Sequence, residues 1–247
     1  MKITVVGATG LIGAQVVEML AAAGHDVNAA SRSSGVDALT GDGVAQAVES
    51  AEVIVDVLNS PTLEPDSARD FFTTSASTLL TAGRRAGVRH HVLLSIVGVG
   101  TLEADGYLRG KHLQEELVVS SGIPYTIVRA TQFHEFTAGI VGSLLVDGTA
   151  HAPDALIQPV AAAEVAAVVA RAATETPRST VLNFGGPEKM SFADLARTVF
   201  AAQRTQAAVV VDLQATYFGV AVHQTSLVTG DDAELGTIRL EEWLSRR

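Results

Sequence analysis

Residues 2–13 read Lys2-Ile3-Thr4-Val5-Val6-Gly7-Ala8-Thr9-Gly10-Leu11-Ile12-Gly13. Ile3–Val6 is a short β-branched run that predicts a buried strand. Leu11–Ala23, ended by Gly24, has the spacing of an amphipathic helix. The glycines between them have separate tasks. Gly7 permits a tight turn, Gly10 lets the backbone approach a pyrophosphate, and Gly13 lets the helix pack close to the strand. The free N–H groups of the helix start would receive the phosphates, so Thr9, Gly10, Leu11, Ile12 and Gly13 are read with Gly7 as cofactor-binding.

Outward from this turn the pattern repeats. Strands are predicted at Val27–Ala30, Val53–Leu58, Val92–Ile96 and Tyr125–Arg129. They alternate with helices at Val44–Glu49, Ser67–Ala86 and Tyr107–Ser120. This order predicts an α/β fold, a Rossmann-type doubly wound parallel sheet. After about residue 132 the rhythm loosens. A helix is expected at Ala161–Thr174, a strand at Thr180–Phe184, a helix at Ser191–Ala202 with Ser191 and Asp194 in capping-box spacing, and a late strand at Val209–Leu213. Residues 214–237 give no clear period. The expectation is a single NAD(P)-binding domain over 1–247, with a small C-terminal substrate lobe formed mainly after about residue 132.

The chain has 247 residues, 47% hydrophobic and 18% charged, which is globular and long enough to bury a core. Its 17 Lys+Arg against 27 Asp+Glu give a net charge of −10, which disfavours nucleic-acid partners. With no cysteine, thiolate metal sites and disulfides are excluded, and the scattered histidines predict no metal site. Met1-Lys2 leads straight into the first strand without a signal-peptide pattern, and the longest apolar run, near Val92–Val99, is too short to span a bilayer. A cytoplasmic location is therefore expected. The expected partners are a small-molecule substrate and, at most, a homodimer; neither membrane nor nucleic acid is expected.

The end of the second strand discriminates between cofactors. An acid there, about 20 residues beyond the glycines, would hold the ribose hydroxyls of NAD. This chain has Ser31-Arg32-Ser33 instead. A guanidinium and two hydroxyls suit the 2′-phosphate of NADP(H), which is the expected cofactor.

The chemistry points to Tyr107-Leu108-Arg109-Gly110-Lys111. A Tyr and a Lys four apart share one helix face. A neighbouring ammonium would favour the phenolate and draw the phenol toward a useful acid–base range. Lys111 could also bridge to the nicotinamide ribose, and Ser95, at the carboxyl end of a strand, could orient a carbonyl. Thr131, Gln132 and Phe133 follow another strand, and Leu63, Phe133 and Phe136 suggest apolar substrate surroundings.

The motif Gly7-Ala-Thr-Gly-Leu-Ile-Gly13, the Ser95–Tyr107–Lys111 set and the segment Gly122–Phe133 resemble the atypical short-chain dehydrogenase/reductases, in their NmrA-like, sugar-epimerase-like branch. The resemblance extends over most of the chain. It implies that Ser95 polarises a carbonyl, Tyr107 donates the proton and Lys111 positions the ribose, and that Asn59, after the third predicted strand, has a place at the cofactor site. One departure stands out: classical members use an Asn in the long helix before the Ser strand, and Ser67–Ala86 has none. Thr73, Thr74 or a water would have to replace it. Three activities follow as expectations. The first is NADPH-dependent reduction of a small, fairly apolar carbonyl, enone or quinone. The others are a non-catalytic NADP(H) redox sensor acting on a protein partner, and a non-redox isomerase or cyclase.

Overall fold

The structure, a computed structural model, describes residues 1–102 and 105–246. The elements run β1 (Lys2–Val6), α1 (Gly13–Ala22), β2 (Asp26–Ala30), α2 (Val44–Ala47), β3 (Val53–Asp56), α3 (Pro65–Ala86), β4 (His90–Ile96), α4 (Tyr107–Ser120) and β5 (Tyr125–Ala130). They continue with α5 (Thr137–Ser143), β6 (Leu145–Val146), β7 (Thr149–Ala152), β8 (Leu156–Ile157), α6 (Ala162–Thr174), β9 (Thr180–Gly185) and β10 (Met190–Ser191). The last are α7 (Phe192–Gln203), β11 (Ala208–Val211), β12 (Glu234–Leu235) and α8 (Leu240–Ser245).

The main sheet has seven strands in the order β12-β9-β5-β4-β3-β1-β2 and is flanked by helices, a Rossmann-type α/β fold. β1 pairs in parallel with β2 on one side and with β3 on the other. The strand order therefore reverses between β1 and β3, and the carboxyl ends of those strands flank a crevice where such sheets take ligands. All four residues of β3 are buried, as a central parallel strand requires.

The chain divides into two compact units: Met1–Ser95, Ala104–Arg129 and Val165–Leu182 in the first; Ile96–Glu103, Ala130–Glu164 and Asn183–Arg247 in the second. The second unit thus takes a short piece from before α4, and most of α6 belongs to the first. The first unit's core runs through Val6, Ile54, Leu79, Leu93, Val118 and Ile127. The second unit packs Ile140, Ile157, Phe192, Leu195, Leu227 and Leu240 together. There β11, β7 and β6 form a separate small sheet.

The helix ends show how the sequence sets these boundaries. α3 starts with Pro65 behind Glu64, whose carboxylate accepts the Ser67 N–H, and stops at Gly87 in the left-handed region, φ +73°. The Ser191 hydroxyl accepts the Asp194 N–H at 3.0 Å, as the capping spacing anticipates. α1 begins at Gly13, two residues later than its apolar spacing suggests, because Gly7–Ile12 form the turn. α3 and α4 meet closely at Gly110, where an added Cβ would stand 2.9 Å from the Phe72 ring and 3.0 Å from Arg69 Cα.

Candidate active site

The glycine turn folds as its spacing demands. Gly7 has φ +90° and donates its N–H to Ala30 O, tying the turn to the end of β2. A Cβ on Gly7 would come within 3.0 Å of Val57 O at the end of β3, and one on Gly13 would stand 2.1 Å from Gly7 O. No side chain caps the start of α1, and its first turn carries no acid. Thr9, Gly10 and Leu11 are exposed, while Ile12 and Gly13 are buried. This is a backbone cradle that any side chain would fill, open to an anion at a helix N-terminus. Gly13→Ala would force backbone against backbone. Overpacking of this kind costs about 1–3 kcal/mol. The variant should show a lower thermal midpoint and greatly weakened dinucleotide binding, read by a cofactor titration.

Beside it, Ser31 closes a capping box with Ser34 and shares a 2.8 Å hydrogen bond with the Ser33 hydroxyl. Arg32 is exposed and has no ion-pair partner among the described residues. Its guanidinium is free for an added phosphate.

The chemical groups lie on β4, α4 and the loop after β3. Ser95 is 2% exposed, and its hydroxyl has no hydrogen-bond partner among the described residues. A buried, unsatisfied hydroxyl at a strand end is uncommon and fits a ligand oxygen. Tyr107 is half-buried. Its ring meets the edge of Phe72 at 5.1 Å, and its hydroxyl donates to Asn59 Oδ1 at 2.5 Å. Burial pushes the phenol up to about 12. That direction is opposite to the one expected from a neighbouring ammonium.

The reason lies in where Lys111 points. It is 3% exposed, and its Nζ donates to Leu94 O at 2.7 Å and to Gln114 Oε1 at 2.6 Å. Gln114 in turn donates to Asp56 Oδ2 at 2.9 Å, and Nζ stands 4.9 Å from the Phe72 ring centre. Burial draws the Lys111 ammonium down to about 8, opposed by the carboxylates of Asp56 and Glu115. Burial likewise raises the fully buried Asp56 carboxyl, against the pull of Lys111 and of the Leu58 and Gln114 hydrogen bonds. The structure thus brings Tyr107 to Asn59 and Lys111 to Leu94, Gln114 and Asp56. Asp56 and Gln114 escaped the sequence reading. The signals were a carboxylate inside the apolar run Val53–Leu58 and an amide three residues after Lys111, on the same helix face.

Thr131, Gln132, Phe133 and Phe136 belong to the second unit. There Phe133 and Phe136 stack at 5.5 Å, and both polar atoms of the buried Gln132 amide lack partners among the described residues. Leu63, in the first unit, is exposed.

A family model described as NAD(P)H-binding matches residues 7–176. The chain belongs to this NAD(P)H-binding family. The match spans the glycine cradle, Arg32, Asn59, Ser95, Tyr107 and Lys111 together. The cradle that a Cβ would fill, the free guanidinium and the orphaned Ser95 hydroxyl all fit such a cofactor. No curated protein sequence matches the chain.

Solved structures share the family's fold. One is dTDP-4-dehydrorhamnose reductase of Bacillus anthracis with NADP: 16% identity, 99% of this chain and 96% of that one, TM-score 0.76. A second is UDP-glucose 4-epimerase of Thermotoga maritima with UDP-glucose: 15% identity, 99% and 96% covered, TM-score 0.72. A third is the NADPH-dependent quinone oxidoreductase of Escherichia coli with NADPH: 22% identity, 85% and 78% covered, TM-score 0.65. At these identities the likeness is one of fold. Among the described residues no helix is long and apolar enough to cross a membrane.

Proposed function

We propose that this protein is an NADPH-dependent reductase of a small, fairly apolar carbonyl, enone or quinone, working as a short-chain dehydrogenase/reductase with a substrate lobe in the second unit. The observation that carries the reading is the buried, unpartnered Ser95 hydroxyl at the end of β4, in a unit that also presents the Tyr107 phenol on α4. The dTDP-4-dehydrorhamnose reductase and the quinone oxidoreductase among the structures of like fold support it.

The backbone of Gly7, Thr9, Gly10, Leu11, Ile12 and Gly13 would hold the pyrophosphate, with Ser31, Arg32 and Ser33 on the adenosine 2′-phosphate and Asn59 lining the loop beside them. When bound, reduced nicotinamide supplies a hydride. Ser95 donates a hydrogen bond to the substrate oxygen and polarises it. Tyr107 gives that oxygen its proton as the carbon takes the hydride, and the phenolate left behind recovers a proton from water. Lys111 fixes the Leu94 carbonyl beside Ser95 and keeps its third N–H for the ribose.

The test is NADPH oxidation against a panel of quinones, enones and aromatic ketones, with wild type and Tyr107→Phe side by side. Turnover that the Phe variant retains would remove Tyr107 from the mechanism. For cofactor choice, Arg32→Ala should weaken NADPH binding about 10- to 100-fold, the worth of one charge-assisted hydrogen bond, and leave NADH binding unchanged. Equal wild-type affinity for NADH and NADPH would overturn the assignment.

A second reading, a non-catalytic NADP(H) sensor, draws on the apolar surface of the second unit. Val210, Val211 and Leu213 are exposed in and just after β11, and Val146 is exposed on β6 of the same small sheet. That reading expects tight, redox-selective binding and no turnover with any acceptor.

A further inference from the structure

We propose that Asn59 is the positioning residue for the Tyr107 hydroxyl, supplied by the loop after β3 rather than by the long helix α3. The inference rests on the reading of Tyr107 as the proton donor and deepens it.

The contact is direct: Tyr107 Oη donates to Asn59 Oδ1 at 2.5 Å, across 48 residues of sequence. Both ends are held. The Phe72 edge fixes the phenol ring, leaving the C–O bond of the hydroxyl as its free rotation. The loop is tied on each side of Asn59. The Leu58 N–H donates to Asp56 Oδ1 at 3.0 Å, and the Ser60 hydroxyl donates to Thr62 O at 2.8 Å. These bonds fix the backbone on both sides of Asn59, so the loop's path carries its amide, itself exposed, to the Tyr107 hydroxyl.

The alternatives on α3 are spent or turned away. Pro65–Ala86 contains no Asn; Thr73 donates its hydroxyl to Arg69 O at 3.0 Å within the helix; Thr74 is exposed. No charge takes the role either. Lys111 is bonded to Leu94 O and Gln114, and Asp56 to Leu58 and Gln114. Arg69, on the face of α3 that meets α4, pairs with Asp66 at 2.8 Å and lies 4.0 Å from Asp70. Asn59 is a neutral partner, and an amide can do what a carboxylate cannot. Its oxygen accepts the phenol proton at rest. Turned about its last bond, it offers an N–H to the phenolate oxygen once the proton has gone to the substrate. One proton leaves Tyr107 Oη, the phenolate keeps the bonding pair, and water restores the proton after product leaves.

The experiment uses Asn59→Asp and Asn59→Ala in the full chain, with fluorotyrosine incorporated so that the phenols titrate while the protein is folded. The Tyr107 fluorine resonance is assigned by its loss in Tyr107→Phe. The carboxylate of Asn59→Asp can only hold the proton, so the Tyr107 titration should move alkaline by about one pH unit or more. In both variants kcat should fall roughly 10- to 100-fold, a larger loss than any in NADPH affinity, since Asn59 also lines the cofactor site. An unmoved titration in Asn59→Asp overturns the proposal. So does NADPH affinity that falls while kcat holds, which would make Asn59 a cofactor ligand only. If Tyr107→Phe itself keeps full turnover, the reductase mechanism fails, while the titration still reports whether Asn59 governs the phenol.

Discussion

Tyr107→Phe is expected to lower NADPH-dependent reduction by roughly 10²- to 10⁴-fold, the usual worth of a positioned general acid, and to leave NADPH affinity within about twofold. The variant keeps the ring that packs on Phe72 and loses only the hydroxyl. A stability change of about 1 kcal/mol, one lost hydrogen bond, would accompany it. Under the proposed mechanism, the raised phenol pKa sets a preferred direction. With the phenol pushed up to about 12, the phenolate fraction at neutral pH is roughly 10⁻⁵. Reduction needs the neutral phenol, so its rate should be flat with pH as far as Tyr107 is concerned. Oxidation of the product alcohol needs the phenolate. Its rate should rise about tenfold per pH unit between roughly pH 6 and pH 9. Initial rates in both directions across that range check this; an oxidation rate that levels off near neutrality would refute it.

The second large effect belongs to Lys111→Met. Loss of the ammonium leaves the Asp56 carboxyl buried, with only the Leu58 N–H and Gln114 as partners. Removing one member of a buried charge pair costs about 3–5 kcal/mol when the two touch; here Gln114 bridges them, and the cost should be about half that. Both groups are almost wholly out of solvent, so water does little to screen that loss. Denaturant unfolding should therefore show a destabilisation of that order. Adding Asp56→Asn should recover part of it, because the stranded charge goes too. A loss below about 1 kcal/mol for the single variant would mean that Asp56 is neutral in the wild-type fold. The measurement separates anchoring from catalysis, because Tyr107→Phe should cost only about 1 kcal/mol of stability.

The fold was legible because its signals are local. The glycine spacing, the apolar strand runs and the caps each act within a few residues, and α4 spans Tyr107–Ser120 in both sequence and structure. Residues 214–237 were not legible. Their single two-residue strand, Glu234–Leu235, is defined by pairing with Phe184 and Gly185 far away in the chain. The site divides in the same way. The places of the glycine turn and of Ser31-Arg32-Ser33, at the ends of β1 and β2, could be read from spacing alone. The direction of Lys111 could not, for it is set by Asp56 and Leu94 on two other elements, and the spacing of Tyr107 and Lys111 says only that they share a helix face. The Asn59 contact depends on a loop whose path the sequence leaves open.

Gly110, where α4 touches α3, lies between the phenol and the ammonium in the chain. Tyr107 and Lys111 both rest on the Phe72 ring that closes against it. A larger residue at 110 would therefore tilt Tyr107 and Lys111 as one body, so neither can be retuned alone through that contact. Laboratory evolution toward bulkier substrates should accumulate its changes in the loops and leave position 110 untouched.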